Sequence, residues 1–192
     1  MRDPYSAAKA IGTAAYLADG RVELGIGVGW CEEEFTLMGQ QFAKRGKRTD
    51  EMIELMRRLW EPGWTEFDGE FYQTPRLEMT PTPPPIPVYS GGLSDIALRR
   101  AARLDGWIGD LITLDQAIER VDKVRALRAE KGLSMDDYTV VTPLADAFLP
   151  EHYDRAAQAG IDGIITMPWV FYCGPDAPVS EKIDGMRRFR KD

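Results

Sequence analysis

Histidine is almost absent from this chain: His152 is the only one in 192 residues. That removes the commonest ingredient of acid–base relays and of nitrogen-liganded metal centres. His152 stands between Glu151 and Asp154 at the start of a surface helix, where a solvated side chain is expected rather than a catalytic one. Cysteine is nearly as scarce. Cys31 and Cys173 are too few for a disulfide framework and fit two free thiols in a reducing cytoplasm. No histidine near Cys31 would activate it as a nucleophile. No cluster of His, Cys and carboxylates has metal-ligand spacing, so no metal is expected. Long apolar runs are missing as well, and Met1-Arg2-Asp3-Pro4 has no apolar signal core behind it. No membrane association is expected, and the cytoplasm is the expected location. Nor is there an excess of basic charge: 31 acidic residues against 24 basic give a net charge of −7. The two basic runs, 44–48 and 187–191, lie beside acidic neighbours or at helix ends, so no nucleic-acid partner is expected.

What is present is an ordinary globular composition, 44% hydrophobic and 29% charged, enough for one domain over 1–192 with a proper core. The chain opens on a helix over 4–18, with Pro4 at its first position, Asp3 as cap and a small-residue face suited to lying on a sheet. Asp19-Gly20 ends it. Arg21-Val22-Glu23-Leu24-Gly25-Ile26-Gly27-Val28-Gly29-Trp30 then alternates like a buried strand, and three glycines at every second position leave one of its faces bare. Such a face admits either a closely packed neighbour or a flat ligand. A loop over 32–41 and a core-facing helix over 44–60 follow; Met52, Leu55, Met56, Leu59 and Trp60 recur at helical spacing.

Residues 64–87 are of another kind. Thr65-Glu66-Phe67 and Glu70-Phe71-Tyr72 flank Asp68-Gly69, a signal for a two-residue hairpin, and a proline-rich connector follows. This insertion suits a flap over a site or surface decoration equally. Strands at 86–89, 107–113, 138–149 and 163–169 then alternate with helices at 95–104, 114–131, 150–159 and 180–189. Ile96, Ala97, Ala101 and Leu104 are the expected inward face of the first of these helices. Alternation of this kind argues an α/β protein with a parallel sheet of five strands and outer helices. Five strands suffice for an open doubly wound sheet; an eight-stranded barrel typically takes about 250 residues.

Two places suit a ligand. Ser90-Gly91-Gly92-Leu93-Ser94 lies between a strand and a helix, where paired glycines and a helix start can cradle a phosphate; a plain capped turn is the other reading. Gly29-Trp30-Cys31-Glu32-Glu33-Glu34 lies at the same end of the sheet, with Trp30 able to stack on a planar ring and Glu32 read as part of a solvated acidic turn. The glycines at 25, 27 and 29 sit inside a strand and lack the G-x-G-x-x-G spacing of a dinucleotide fingerprint.

Three motifs in order carry a resemblance. Asp19 to Trp30 with Glu34-Phe35, Gly39, Phe42, Arg45-Gly46, Arg48, Asp50-Glu51 and Glu54-Leu55-Met56-Arg57 is the first; Phe67-Asp68-Gly69-Glu70-Phe71-Tyr72 is the second; Pro87-Val88-Tyr89-Ser90-Gly91-Gly92 with Ala97, Arg99-Arg100-Ala101-Ala102 and Asp105-Gly106-Trp107 is the third. Together they resemble the bacterial-luciferase-like flavin or deazaflavin oxidoreductases, most closely the group dependent on coenzyme F-420, with FMN as the alternative cofactor.

The resemblance implies a TIM (β/α)8 barrel family fold, incomplete here: strands four to eight of the barrel without the first three. It implies a shortened member of the family, one that is trimmed or that completes its barrel with another chain, and association through exposed strand edges, as in a homo-oligomer. By matching position, Ser90, Gly91 and Gly92 would hold the cofactor phosphate, Gly29 and Trp30 would lie beside the ring, Glu33 or Glu34 would supply a polar contact there, and Thr113 an extra phosphate or ribityl contact. The implied activity is hydride transfer between the bound cofactor and a small organic substrate; a non-catalytic cofactor-binding or dimerising fragment is the alternative. The general acid or base is not assigned.

Overall fold

The computed structural model describes residues 2–190. Helix α1 (Pro4–Leu17) begins as its sequence predicts, with the Asp3 carboxylate accepting from the Ser6 amide at 2.8 Å. Its small face does not lie on the sheet. Ala7, Ala8, Gly12 and Ala15 are buried against α3 (Arg45–Trp60), and the Trp60 indole donates to the Ala8 carbonyl at 2.9 Å. A Cβ at Gly12 would stand 3.2 Å from that indole, so the small residues serve a close helix–helix approach.

The main sheet has five parallel strands in the order β1 (Leu24–Ile26), β4 (Val88–Gly91), β5 (Gly106–Ile108), β6 (Thr139–Thr142) and β7 (Gly163–Ile164). Four of the strands are shorter than the runs that announce them, because the C-terminal part of those runs leaves the sheet as a loop; β4 keeps its length but lies two residues later than expected. An antiparallel pair, β2 (Thr65–Asp68) and β3 (Gln73–Leu77), forms the insertion.

The sheet order rules out the doubly wound reading. A doubly wound sheet reverses its strand order so that helices cover both faces. Here every crossover steps the same way, and right-handed crossovers that all step one way put all their helices on one face, as in a barrel wall. Register gives the same result. Val88, Trp107 and Val140 are essentially inaccessible and pack into two apolar clusters with α3, α4 (Asp95–Ala101), α5 (Leu114–Ala129) and α6 (Pro150–Ala159). Their neighbours along each strand (Ile108, Thr139 and Val141) turn to the other face and are only half-buried. The sheet is thus an open arc of barrel wall.

Three expectations about local structure change. Glu32–Leu37 is a helix, α2, rather than loop: three carboxylates in its first turn complement the helix dipole, and Phe35 anchors it from the buried side. The hairpin connection is four residues, 69–72, instead of two. Glu51 of α3 accepts the amides of Glu70, Phe71 and Tyr72 at 2.7–3.0 Å, which favours the wider loop and holds the insertion against α3. In α4, Ile96 is exposed, and the inward face carries Ala97, Leu98, Arg100 and Ala101. The chain closes with a 3-10 turn at Pro168–Phe171 and α7 (Val179–Phe189), where Phe171 stacks on Phe189 with ring centroids 5.7 Å apart.

Candidate functional site

Parallel pairing brings the ends of β1 and β4 side by side: Ile26 is level with Ser90, so the loop at 27–31 and the turn at 92–94 leave the sheet as neighbours. The glycines at 25, 27 and 29 do three different things. A Cβ at Gly25 would meet the Ile108 side chain at 2.7 Å, so that gap is filled by packing. At Gly29, φ is +83°, and a Cβ would fall 2.8 Å from the Phe35 ring, so glycine there lets α2 close against the strand end. Only at Gly27 is there nothing within 4 Å. The bare face is therefore open to a flat ligand at one position of the three.

Beyond Gly29, Trp30 is 87% exposed. Glu33 and Glu34 lie in the first turn of α2 and are exposed. The Glu33 carboxyl is held below its ordinary range by its own backbone amide and by the Cys31 thiol, which donates to it at 3.3 Å. Cys31 is thus engaged locally.

Ser90 and Gly91 belong to β4 itself rather than to the turn after it. Ser90 is 1% exposed and shares the helix-covered face with Val88 and Trp107, so its hydroxyl lies beneath α4 and not at the open strand end. A Cβ at Gly91 would come 3.2 Å from the Ile26 carbonyl. Gly92 makes the turn with φ +113°; its carbonyl accepts from the Trp107 indole at 2.9 Å, and a Cβ would strike Ala97 at 2.9 Å. Ser94 then caps α4 by accepting from the Ala97 amide at 3.3 Å. Thr113 is the N-cap of α5 in a reciprocal capping box with Gln116. It reaches the same end of the sheet, one strand further along, but its side chain already has a structural task. Of the residues expected at the site, the structure brings Gly29, Trp30, Gly91 and Gly92 to adjacent strand ends, places Glu33, Glu34 and Thr113 at helix starts nearby, and turns Ser90 inward.

Residues not singled out from the sequence also shape this end. Arg45 donates from Nε to the Gly29 carbonyl at 2.9 Å and lies 3.8 Å over the Phe42 ring. Arg100 ties α4 to α3 from inside. Arg45, Gly46 and Arg100 stand within the resembling motifs, which is the one signal that could have found them.

A cavity of about 910 Å³ adjoins the β1 side of this end, with Gly27, Phe35 and Arg45 in its lining. It lies between α1, α3, the hairpin tip and the free edge of β1, with Ile11, Leu24, Phe35, Met52, Met56 and Tyr72 on its walls. Leu24 donates to the Pro87 carbonyl of the neighbouring strand, so the backbone of Gly25 and Gly27 turns to the opposite, unpaired edge that borders this hollow. A second hollow of about 410 Å³ sits at the N-terminal ends of the strands, where Arg57 pairs with Asp105. Asp105 also accepts the Val88 amide at 2.8 Å, which makes this group a strut. Among the described residues no group of His, Cys, Asp or Glu is arranged to hold a metal, and no helix is long and apolar enough to cross a membrane. His152 Nδ1 accepts the Phe148 amide at 3.2 Å, a cap contact at the start of α6.

Comparison with known proteins decides the family. The model described as luciferase-like monooxygenase matches residues 1–182. The chain belongs to the luciferase-like monooxygenase family. An uncharacterised protein of Mycobacterium tuberculosis is 40% identical over 198 aligned residues, covering 100% of this chain and 67% of that protein. The FMNH(2)-dependent dimethylsulfone monooxygenase of Pseudomonas fluorescens is 31% identical over 134 residues, 66% of this chain and 36% of its own. Among solved structures, the coenzyme F-420 dependent tetrahydromethanopterin reductase of Methanopyrus kandleri superposes with a TM-score of 0.65 at 23% identity, over 74% of this chain and 46% of that one. At that identity the likeness shows the fold. The chain aligns with under half of that reductase's length, and its five-stranded arc corresponds to part of a barrel.

Proposed function

We propose that this chain binds coenzyme F-420, with FMN as the alternative, and works as a luciferase-like oxidoreductase that passes a hydride between that cofactor and a small organic substrate. The observation that carries the reading is the pairing of β1 with β4, which sets Gly27, with open space where a side chain would stand, one residue past the Ile26–Ser90 pair and so level with Gly91. The residues fit such a group. A planar ring can approach Gly27 because a side chain there would meet nothing within 4 Å. In this reading Gly91 and Gly92 admit the phosphate, Gly29 and Trp30 border the ring, and Glu33, Glu34 or Thr113 add polar contacts. The bound deazaflavin or flavin would supply the hydride chemistry, and the protein's part is to place the ring and the substrate and to keep water away. Family membership and the FMNH(2)-dependent relative support the cofactor class.

Titration of the purified chain with F-420 and with FMN, read by fluorescence, tests the reading: micromolar binding of either supports it, and binding of neither overturns it. The half-buried inner face of the sheet favours one second reading, a cofactor-binding fragment without turnover. Binding without reduction by any candidate donor would select it. The same reading extends to partners: chains associate through the free edges of β1 and β7, and light scattering that finds only monomer up to high concentration would overturn that part.

A further inference from the structure

Among the described residues Arg100 is the one buried charged side chain, 4% exposed on the inward face of α4. Its guanidinium bonds to α3 through Nε and Nη2. Nε donates to Asp50 Oδ1 at 2.6 Å, and Nη2 donates to Asp50 Oδ2 at 3.2 Å and to the Gly46 carbonyl at 3.1 Å. Arg103 joins the same Asp50 oxygen from the surface at 3.2 Å. Both ends of this link lead to the candidate site. On the α4 side, Ser94 and Gly92 begin the helix that carries Arg100. On the α3 side, Gly46 follows Arg45, whose Nε holds the Gly29 carbonyl. A Cβ at Gly46 would stand 2.9 Å from Arg100 Nη2, so glycine at that position is what lets the guanidinium reach the helix backbone.

We infer that Arg100 is a positioning residue for cofactor binding: with Asp50 and Gly46 it sets the spacing between the Gly29–Trp30 strand end and the Gly91-Gly92 turn. The inference rests on the cofactor reading above. Parallel pairing joins β1 and β4 from Leu24–Val88 as far as Ile26–Ser90, and beyond those residues the two loops have no ladder between them. The bidentate Arg100–Asp50 pair, planar and with its guanidinium buried, is a further connection between the helices that carry the two loops. The ring held at one loop and the phosphate held at the other are parts of one ligand whose connecting chain has a limited reach, so a change in the spacing costs the phosphate contact while leaving the ring contact in place.

The test compares a pair of ligands that differ only in the phosphate, FMN and riboflavin. Wild-type protein should prefer the phosphorylated member by about 30-fold, the worth of one or two charge-assisted hydrogen bonds. Arg100→Met should bring that preference within about 3-fold, with phosphate-free binding nearly unchanged and Arg100→Lys recovering part of it. Gly46→Ala keeps every charge and displaces only the guanidinium, so it should lower the preference in the same direction if Arg100→Met does not fold. An unchanged preference in both variants overturns the inference, as does an equal loss for both members of a pair, which is the result of a purely structural role. A wild-type protein that binds both members equally strikes the phosphate reading of the turn itself, a different failure.

Discussion

The two faces of the five-stranded sheet are built to different standards. On the helix face, Val88, Trp107, Val140 and Thr142 are at most 1% exposed, and four helices interlock over them. On the other face the same strands offer Gly25, Gly91, Ile108, Thr139 and Val141, mostly small or half-buried, with Tyr89 the one large side chain fully covered. Stability is concentrated on the first face, and room for a ligand lies at the C-terminal end of the second. A strand can serve both because its side chains alternate. The lesson is that the glycines of β1 have to be judged by face and neighbour, since Gly25 accommodates Ile108 whereas Gly27 faces open space.

The sharpest way to break this comparison is to damage each face in turn. Trp107→Ala removes a wholly buried ring and should cost about 3–5 kcal/mol in urea unfolding, whereas Ile108→Ala, its half-buried neighbour on the opposite face, should cost about 1 kcal/mol. Equal losses would mean that the inner face is as well packed as the outer one. Next in size is the buried ion pair. Arg100→Met leaves Asp50 with Arg103 alone and should destabilise by about 2–3 kcal/mol, below the range for a wholly buried pair because Asp50 is partly exposed.

A smaller effect separates the glycines. Gly27→Ala should shift unfolding by less than about 0.5 kcal/mol, as is usual for open positions, while weakening cofactor binding. Gly25→Ala should instead push on the flexible tip of Ile108 and leave cofactor affinity unchanged. The reverse pattern would move the ligand along the strand.

The smallest effect concerns Tyr138, on the helix face beneath Arg128. Its hydroxyl is buried with no hydrogen-bond partner, and burial raises its pKa well above the ordinary 10.0. The folded state keeps this proton where the unfolded chain releases it. The contribution is therefore fully present below pH 10 and is lost as the pH climbs beyond it. Tyr138→Phe should be neutral or stabilising by up to about 1 kcal/mol at pH 7 and should flatten the alkaline fall in stability.

Much of the fold was legible beforehand because helix starts and stops are written locally. Asp3-Pro4, Ser94 and Gly160 cap as their types require. Less legible were features that depend on distant partners. The Asp68-Gly69 pair signals a two-residue turn, but a carboxylate seventeen or more positions earlier, Glu51, takes up the amides of a wider one. Ile96 reads as a core residue by spacing, yet Arg100 occupies the inward face because Asp50 and Gly46 meet it there. At the site, residue types pointed to the C-terminal end of the sheet, while burial of Ser90 and the capping duty of Thr113 could be seen only with their neighbours in place.

What the sequence determined by itself was the alternation of strands and helices, the caps and the motif order that mark a luciferase-like chain, all consequences of short-range sterics and periodicity. Which way each crossover steps, and so whether five strands make a doubly wound sheet or an arc of barrel wall, was decided by tertiary structure. So was the division of labour among Gly25, Gly27 and Gly29. The physical reason is the same in both cases: a glycine or a strand has no partner in its own local sequence, and its role is set by whatever side chain or strand the fold brings beside it.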